Sequence, residues 1–319
     1  MDHQDPQPPV DAGDIRAKLE NIDYADLEQR LRAHLRILCE EIGTRSIYTF
    51  ANLLKAEHYV TAALEEAGFL VEKQFFVYRG HRCANLVGRD PSHTPTGRQY
   101  ILCAHYDTAW GTPGADDNAS AVAILLEVAR LARTAGTVVR DTAAWRMVAF
   151  TTEEPPAFHT HHQGSRVFAR QARRQKQRID GVVNLEMLGY FKDVPRSQHY
   201  PFPARLFGYP DRGNFVGVVG NWRSRRLARD VVTAMRTNTA LPVHKLIVPE
   251  RGFLLFFSRL SDHSSFWDHG YPAVMLTDTA FLRNPHYHGP SDSPDTLDFA
   301  SMVQVVRSLL NCLRVVHEQ

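Results

Sequence analysis

Cysteine is scarce in this chain of 319 residues. Cys39, Cys83, Cys103 and Cys312 share no metal-ligand or redox spacing. That scarcity argues against a disulfide framework and suits buried thiols in a reducing compartment. Charge of one sign is lacking too: 37 Lys and Arg face 35 Asp and Glu, a formal net charge of +2. No global field draws the chain to nucleic acid or to an acidic membrane, and neither is expected as a partner. Long apolar runs are absent; "FLLFF" (253–257) falls far short of the roughly 20 residues of a membrane-spanning helix. The first residues, "MDHQDPQPPVDAGD", hold no basic segment leading into an apolar one. They do not read as a signal peptide, so a cytoplasmic protein with a disordered tail over 1–14 is expected. No Gly-x-Ser-x-Gly elbow or glycine-rich phosphate loop appears, which weakens serine-hydrolase and nucleotide readings.

The chain does carry a long alternation of helical and strand patterns. Leu27, Leu31, Leu35 and Leu38 recur at helical spacing from Tyr24 to about Glu41, and a second helix stops at Gly68. Strand-like "LVEKQFFVY", "CANLVGRD" and "YILCAHYD" follow, the last a continuous apolar run that suits a buried central strand. Helix "NASAVAILLEVARLART", strand "WRMVAFTT", helix "GSRVFARQARRQKQR" and strand "GVVNLEMLGY" continue the pattern. A proline- and aromatic-rich insertion over about 191–213 shows no period. Beyond it come strand "NFVGVVG", helix "SRRLARDVVTAMRT", a short helix "DHSSFWDHG", strand "YPAVMLTD" and a closing helix. This order predicts a three-layer α/β/α sandwich with a mixed, mostly parallel central sheet. Without a repeat or a linker-like seam, 15–319 is expected to form one catalytic domain.

In such a sheet, sites gather at the carboxyl ends of the strands. Those ends carry acids and imidazoles: His105 and Asp107, Asp116 and Asp117, Glu153 and Glu154, Glu186, then Asp278, His286 and His288. Converging carboxylates repel and desolvate at a cost of several kcal/mol unless a cation offsets it. A mixed N/O donor set without thiolates suits zinc, with cobalt or manganese as alternatives. Either His286 or His288 can serve as a ligand, because alternate residues of an extended segment share a face.

The order of these segments resembles the zinc-dependent peptidases of the M28 aminopeptidase type, and more distantly the glutaminyl cyclases. The shared pattern is His-x-Asp, Asp-Asp-Asn at a helix start, Glu-Glu, Asn-Leu-acid, and a late His before a Ser-Asp segment. The resemblance implies that His105 binds one zinc with Asp107 orienting its ring, that Asp117 bridges two zinc ions, and that Glu186 completes the first site. It implies that Glu154 and His288 hold the second zinc, the register selecting His288 over His286. Glu186 stands where the commoner pattern has Asp, which puts the first site's occupancy, and so one zinc or two, in question. Glu153, not needed as a ligand, is implied to be the general base that activates a metal-bound water. The implied reaction is hydrolysis of the first bond of a peptide or amino-acid amide.

Several residues also have plainer readings. Asp116 reads as a capping acid for the helix behind it. His159, His161 and His162 read as surface histidines, and His263 and His269 as packing groups. Arg173–Arg178 reads as the solvated end of a helix. A glutaminyl-cyclase-like acyltransferase with one zinc on Asp117, Glu154 and His288 is the competing enzyme. A non-catalytic metal-stabilised binding module is a third reading, and it has no use for Glu153. The insertion and the segment "PERGFLLFFSRL" are candidates for walls of a pocket favouring an apolar first side chain.

Overall fold

The strands are laid between two unequal cores. In β3 (Arg98–His105), Tyr100, Leu102 and Ala104 face one core while Ile101 and Cys103 face the other. β5 (Ala143–Phe150) divides in the same way, with Trp145, Met147 and Ala149 against Val148 and Phe150. Strands buried on both faces are what continuous apolar runs form when helices cover both sides. The computed structural model describes residues 22–91, 97–135, 139–140, 143–200, 208–237 and 240–316. The tail expected over 1–14 and part of the insertion lie outside them.

The sheet follows the order β1-β2-β5-β3-β6-β9-β7-β8, with β4 (Val139–Arg140) paired to the start of β5. The four central strands β5, β3, β6 (Gly181–Glu186) and β9 (Ala273–Thr277) run parallel. β1 (Leu70–Tyr78) and β2 (His81–Arg89) form an antiparallel hairpin on one side. On the other, β7 (Val216–Asn221) runs antiparallel to β9 and parallel to β8 (Val243–Val248). The sheet is therefore mixed, with its parallel part at the centre.

The larger core packs α1 (Tyr24–Leu35), α2 (Phe50–Glu66), α3 (Ala121–Ala135), α5 (Arg225–Arg236) and α7 (Phe299–Val316) on one face. The other face is covered by α4 (Gly164–Arg174) and α6 (His263–Asp268). The helix expected to reach Glu41 changes at Arg36 into a wider π turn that ends at Gly43, whose φ of +77° suits glycine. The helix expected from Asn118 starts at Ala121, after a kinked turn over Ala115–Ser120. β8 has no counterpart in the sequence pattern. It is a half-exposed edge strand, so burial does not impose a clean alternation on it. Among the described residues no helix is long and apolar enough to cross a membrane.

Candidate active site

The carboxyl ends of the four parallel strands bring the candidate side chains together. His105 ends β3 and Glu186 ends β6. Glu153 and Glu154 follow β5, and His288 comes from the segment after β9. Asp117 sits in the kinked turn before α3, where it and Asn118 leave helical backbone angles. The donors form two overlapping sets, His105–Asp117–Glu186 and Asp117–Glu154–His288, with ligand atoms inside each set within 4.8 Å of one another. Asp117 belongs to both and divides its oxygens between them. Its Oδ1 lies 3.3 Å from His105 Nε2 and its Oδ2 lies 3.1 Å from His288 Nε2. His105 Nε2 is 3.6 Å from Glu186 Oε2, and His288 Nε2 is 3.3 Å from Glu154 Oε1.

Three of these four spacings match those between ligands of one metal, and all four are longer than usual for a charge-assisted hydrogen bond. Ligands at zinc's usual distances of about 2.0–2.2 Å stand roughly 3.3–3.6 Å apart in a tetrahedron. The buried polar atoms without a hydrogen-bond partner include His105 Nε2, Asp117 Oδ1 and Glu154 Oε1, one from each set and one from the shared residue. Orphaned buried acceptors are costly, and a cation satisfies all three.

Without a cation the carboxyls compete for protons. Burial alone raises the Asp117 carboxyl, but His105 and His288 outweigh it and hold Asp117 well below the usual range. Burial and the Asp117 charge push Glu154 up to about 7. Glu186 is raised chiefly by burial, against the pull of His105. Glu153 is raised well above the carboxylate range, first by burial, with His105 opposing and Asp262 and Glu186 adding to the rise. Its Oε2 stands 3.9 Å from His105 Nε2, and it belongs to neither donor set.

The adjacency of Glu153 and Glu154 is resolved by Asp107. One Asp107 oxygen accepts from the Glu153 amide and the other from the Glu154 amide, each at 3.1 Å. His105 Nδ1 lies 3.2 Å from the Asp107 carbonyl oxygen and 3.5 Å from its carboxylate, so one residue orients both the imidazole and the acid pair. Behind the turn, Gly164 packs so closely that a Cβ there would stand 2.2 Å from the Thr151 carbonyl oxygen. The extra methylene of Glu186 is accommodated by Ser261, whose hydroxyl donates to Glu186 Oε2 and accepts from Asn184.

At Asp116 the structure departs from the sequence reading. Asp116 does not cap α3. Its carboxylate accepts from the Gly189 amide, 2.9 Å away, and from Asn284 Nδ2 at 2.7 Å, tying together two remote loops. His286 turns away from the donor sets to Ser291, with Nδ1 2.9 Å from Oγ. His159 stacks on Phe158, and His263 is buried edge-on to Trp267. Ser261 and Asp292 contact site residues without having been singled out; the phrases "SDHSS" and "PSDS" that contain them were the available signal.

A cavity of about 380 Å³ opens beside the site, between β7–β8 and the segment that carries Leu255 and Phe257. Glu186 and Tyr287 line its site-facing side; Val219, Met275, Leu255 and Phe257 are among its apolar walls. The insertion contributes Tyr200 and Tyr209, whose rings stack with centroids 5.6 Å apart.

A parallel-centred sheet with acids and imidazoles converging at its strand ends defines an α/β fold with a candidate metal centre at its carboxyl edge. The chain belongs to peptidase family M28, whose family model matches residues 85–313. Over 294 residues it is 37% identical to the uncharacterized protein YfbL of Escherichia coli strain K12, covering 89% of this chain and 87% of that one. It is 26% identical over 231 residues to the probable leucine aminopeptidase 1 of Trichophyton verrucosum, covering 69% of this chain. It spans 53% of that relative's length. Among solved structures, the LapA aminopeptidase of Legionella pneumophila superposes with a TM-score of 0.71 at 18% identity, over 100% of this chain and 78% of that one. BSAP, a zinc aminopeptidase from Bacillus subtilis, gives 0.67 at 14% identity, over 91% and 94% of the two chains. The glutaminyl cyclase of Macrostomum lignano gives 0.68 at 17% identity, over 99% and 96%. These three likenesses establish the shared fold.

Proposed function

We propose that this chain is an aminopeptidase that removes the first residue of a peptide or amino-acid amide with two zinc ions. The observation that carries the reading is a pair of donor sets sharing Asp117, with the buried carboxyl of Glu153 left over beside them. His105, Asp117 and Glu186 would hold one ion, and Asp117, Glu154 and His288 the other. Bound there, zinc supplies Lewis-acid polarisation of the scissile carbonyl and lowers the pKa of water. Glu153 takes a proton from the attacking water and returns it to the leaving amine, a role supported by its place beside His105 and outside both donor sets. Asp107 keeps Glu153 aimed by holding its amide, and Asp107 is thus part of the catalytic unit. The apolar cavity receives the first side chain, and its walls favour a large aliphatic or aromatic residue.

The same reading treats 15–319 as one catalytic domain, supported by the single sheet that all the described strands share. A cytoplasmic location is supported by four buried cysteines, none of them in a disulfide. The leucine aminopeptidase relative supports the substrate class.

The test is zinc content measured together with hydrolysis of a panel of aminoacyl amides. Two zinc per chain and preference for Leu or Phe amides are expected. One zinc with cyclisation of N-terminal glutamine would instead establish the glutaminyl-cyclase-like acyltransferase, which leaves His105 and Glu186 without a metal to hold. A preference for charged first residues would remove the pocket assignment alone.

A further inference from the structure

The two acid pairs of the site are gripped in the same way by two remote carboxylates. Asp107 accepts the amides of Glu153 and Glu154, one on each oxygen. Asp292 accepts the amides of Asp116 and Asp117, one on each oxygen, at 2.8 and 3.1 Å. In both cases the second residue of the gripped pair belongs to a donor set. Asp292 is itself fully buried and fixed through its backbone. Its amide donates to the Gly289 carbonyl at 3.1 Å, and its carbonyl accepts from Ala115 at 3.2 Å.

Placing one more carboxylate among buried acids is unfavourable unless its oxygens do something a neutral side chain cannot. A carboxylate gives each of two consecutive N–H donors its own acceptor oxygen, whereas an asparagine has one oxygen for both. A buried cation sits behind the arrangement. Arg45, 1% exposed, donates five hydrogen bonds to the carbonyls of Leu38, Gly43, Tyr106, Pro113 and Gly114. Tyr106 precedes Asp107 and Gly114 precedes the turn that carries Asp117, so the guanidinium joins the two gripped regions. Its charge is felt by both Asp107 and Asp292.

From the paired grips we infer that Asp292 is a positioning residue for Asp117, matching what Asp107 does for Glu154. The assignment rests on the two-metal reading, because Asp117 must present one oxygen to each donor set. A turn that shifts by a few tenths of an ångström misplaces both oxygens together, so losing the grip weakens both metal positions.

The experiment uses the full chain, metal-free and zinc-titrated, as wild type, Asp292→Asn and Asp107→Asn. Hydrogen exchange of the metal-free proteins, read by mass spectrometry, reports the grips directly. Asp292→Asn is expected to speed exchange in the segment 113–120 at least tenfold and leave 151–156 unchanged; Asp107→Asn is expected to do the reverse. Zinc titration of Asp292→Asn is expected to show affinity lowered roughly tenfold to a hundredfold, the range for losing a group that orients a ligand. Asp292→Ser, which keeps one acceptor oxygen, replaces Asp292→Asn if the latter does not fold. Unchanged exchange over 113–120, or exchange that rises equally in both segments, overturns the assignment. So does zinc affinity equal to wild type. A wild-type protein that binds zinc but cleaves no aminoacyl amide sinks the aminopeptidase reading, while exchange and titration still decide the role of Asp292.

Discussion

Replacing Glu153 with glutamine removes a proton acceptor while leaving both donor sets intact, so it separates base from ligand. The structure provides the reason to expect that separation. The nearest Glu153 oxygen is 3.9 Å from His105 Nε2, whereas the donor-set carboxylates approach the same atom at 3.3 and 3.6 Å. Glutamine has nearly the same shape and keeps the backbone amide that Asp107 grips. A positioned general base contributes typically 10²–10⁴-fold, equivalent to about 3–5 kcal/mol of barrier at 25 °C. We therefore expect kcat on leucyl amide to fall by roughly that factor, with KM and zinc content close to wild type. The metal-free variant should melt at the same temperature or higher, because one member of a crowd of buried acids has been neutralised. Atomic absorption on the dialysed protein and a continuous ammonia-release assay read both quantities from one preparation. Zinc lost in proportion to activity would show Glu153 to be a ligand. A kcat within tenfold of wild type would show that it is not the base.

Glu186 and the cavity give independent checks. Glu186→Ala should release one of the two zinc ions and leave the Asp117–Glu154–His288 set loaded, giving a measured ratio near one. Gly217 lines the cavity, and a Cβ there would make only ordinary contacts, the nearest at 3.4 Å from the Thr277 carbonyl oxygen. Gly217→Val should accordingly fold and fill part of the pocket, shifting kcat/KM from Phe toward Ala amides by roughly 10–200-fold, the scale for small volume changes in an apolar pocket. Zinc uptake should release protons. Burial lowers the His288 imidazole, but Asp117 and Glu154 outweigh it and raise it to about 10. A ligand imidazole must be neutral, so zinc affinity rises with pH up to about 10. In the metal-free protein the His288–Asp117 pairing stabilises fully below pH 6.5 and is lost as pH rises through about 10, with Glu154, itself raised to about 7, joining it only as it ionises. Calorimetry at pH 7 in buffers of different ionisation enthalpy measures the release; heats independent of buffer would contradict it.

The legible and illegible parts of the fold differ in where the deciding contact lies. β3 and β5 could be read because burial on both faces favours continuous apolar runs, Tyr100–Ala104 in one and Met147–Phe150 in the other. β8 could not, since its edge position leaves residues such as Lys245 in water and relaxes the pattern. In the site, acids and imidazoles at buried strand ends mark a candidate metal centre, but only the family resemblance selects His105, Asp117, Glu154, Glu186 and His288 from among them, and these five are the donors that the fold brings together. Residues that act on the backbone were hidden. Asp116 looked like a helix cap because its neighbours in sequence permit one, yet its partners Gly189 and Asn284 lie 73 and 168 residues away. The pair Glu153–Glu154 shows the same thing from the other side. Its two amides both donate to Asp107, 46 and 47 residues upstream. A carboxylate accepting two consecutive amides is invisible to a residue-by-residue reading, because what it recognises is main chain common to every sequence. It follows that an acid left over after ligands and bases have been assigned is best tested first against the backbone of the acids already placed. That rule singles out Asp292.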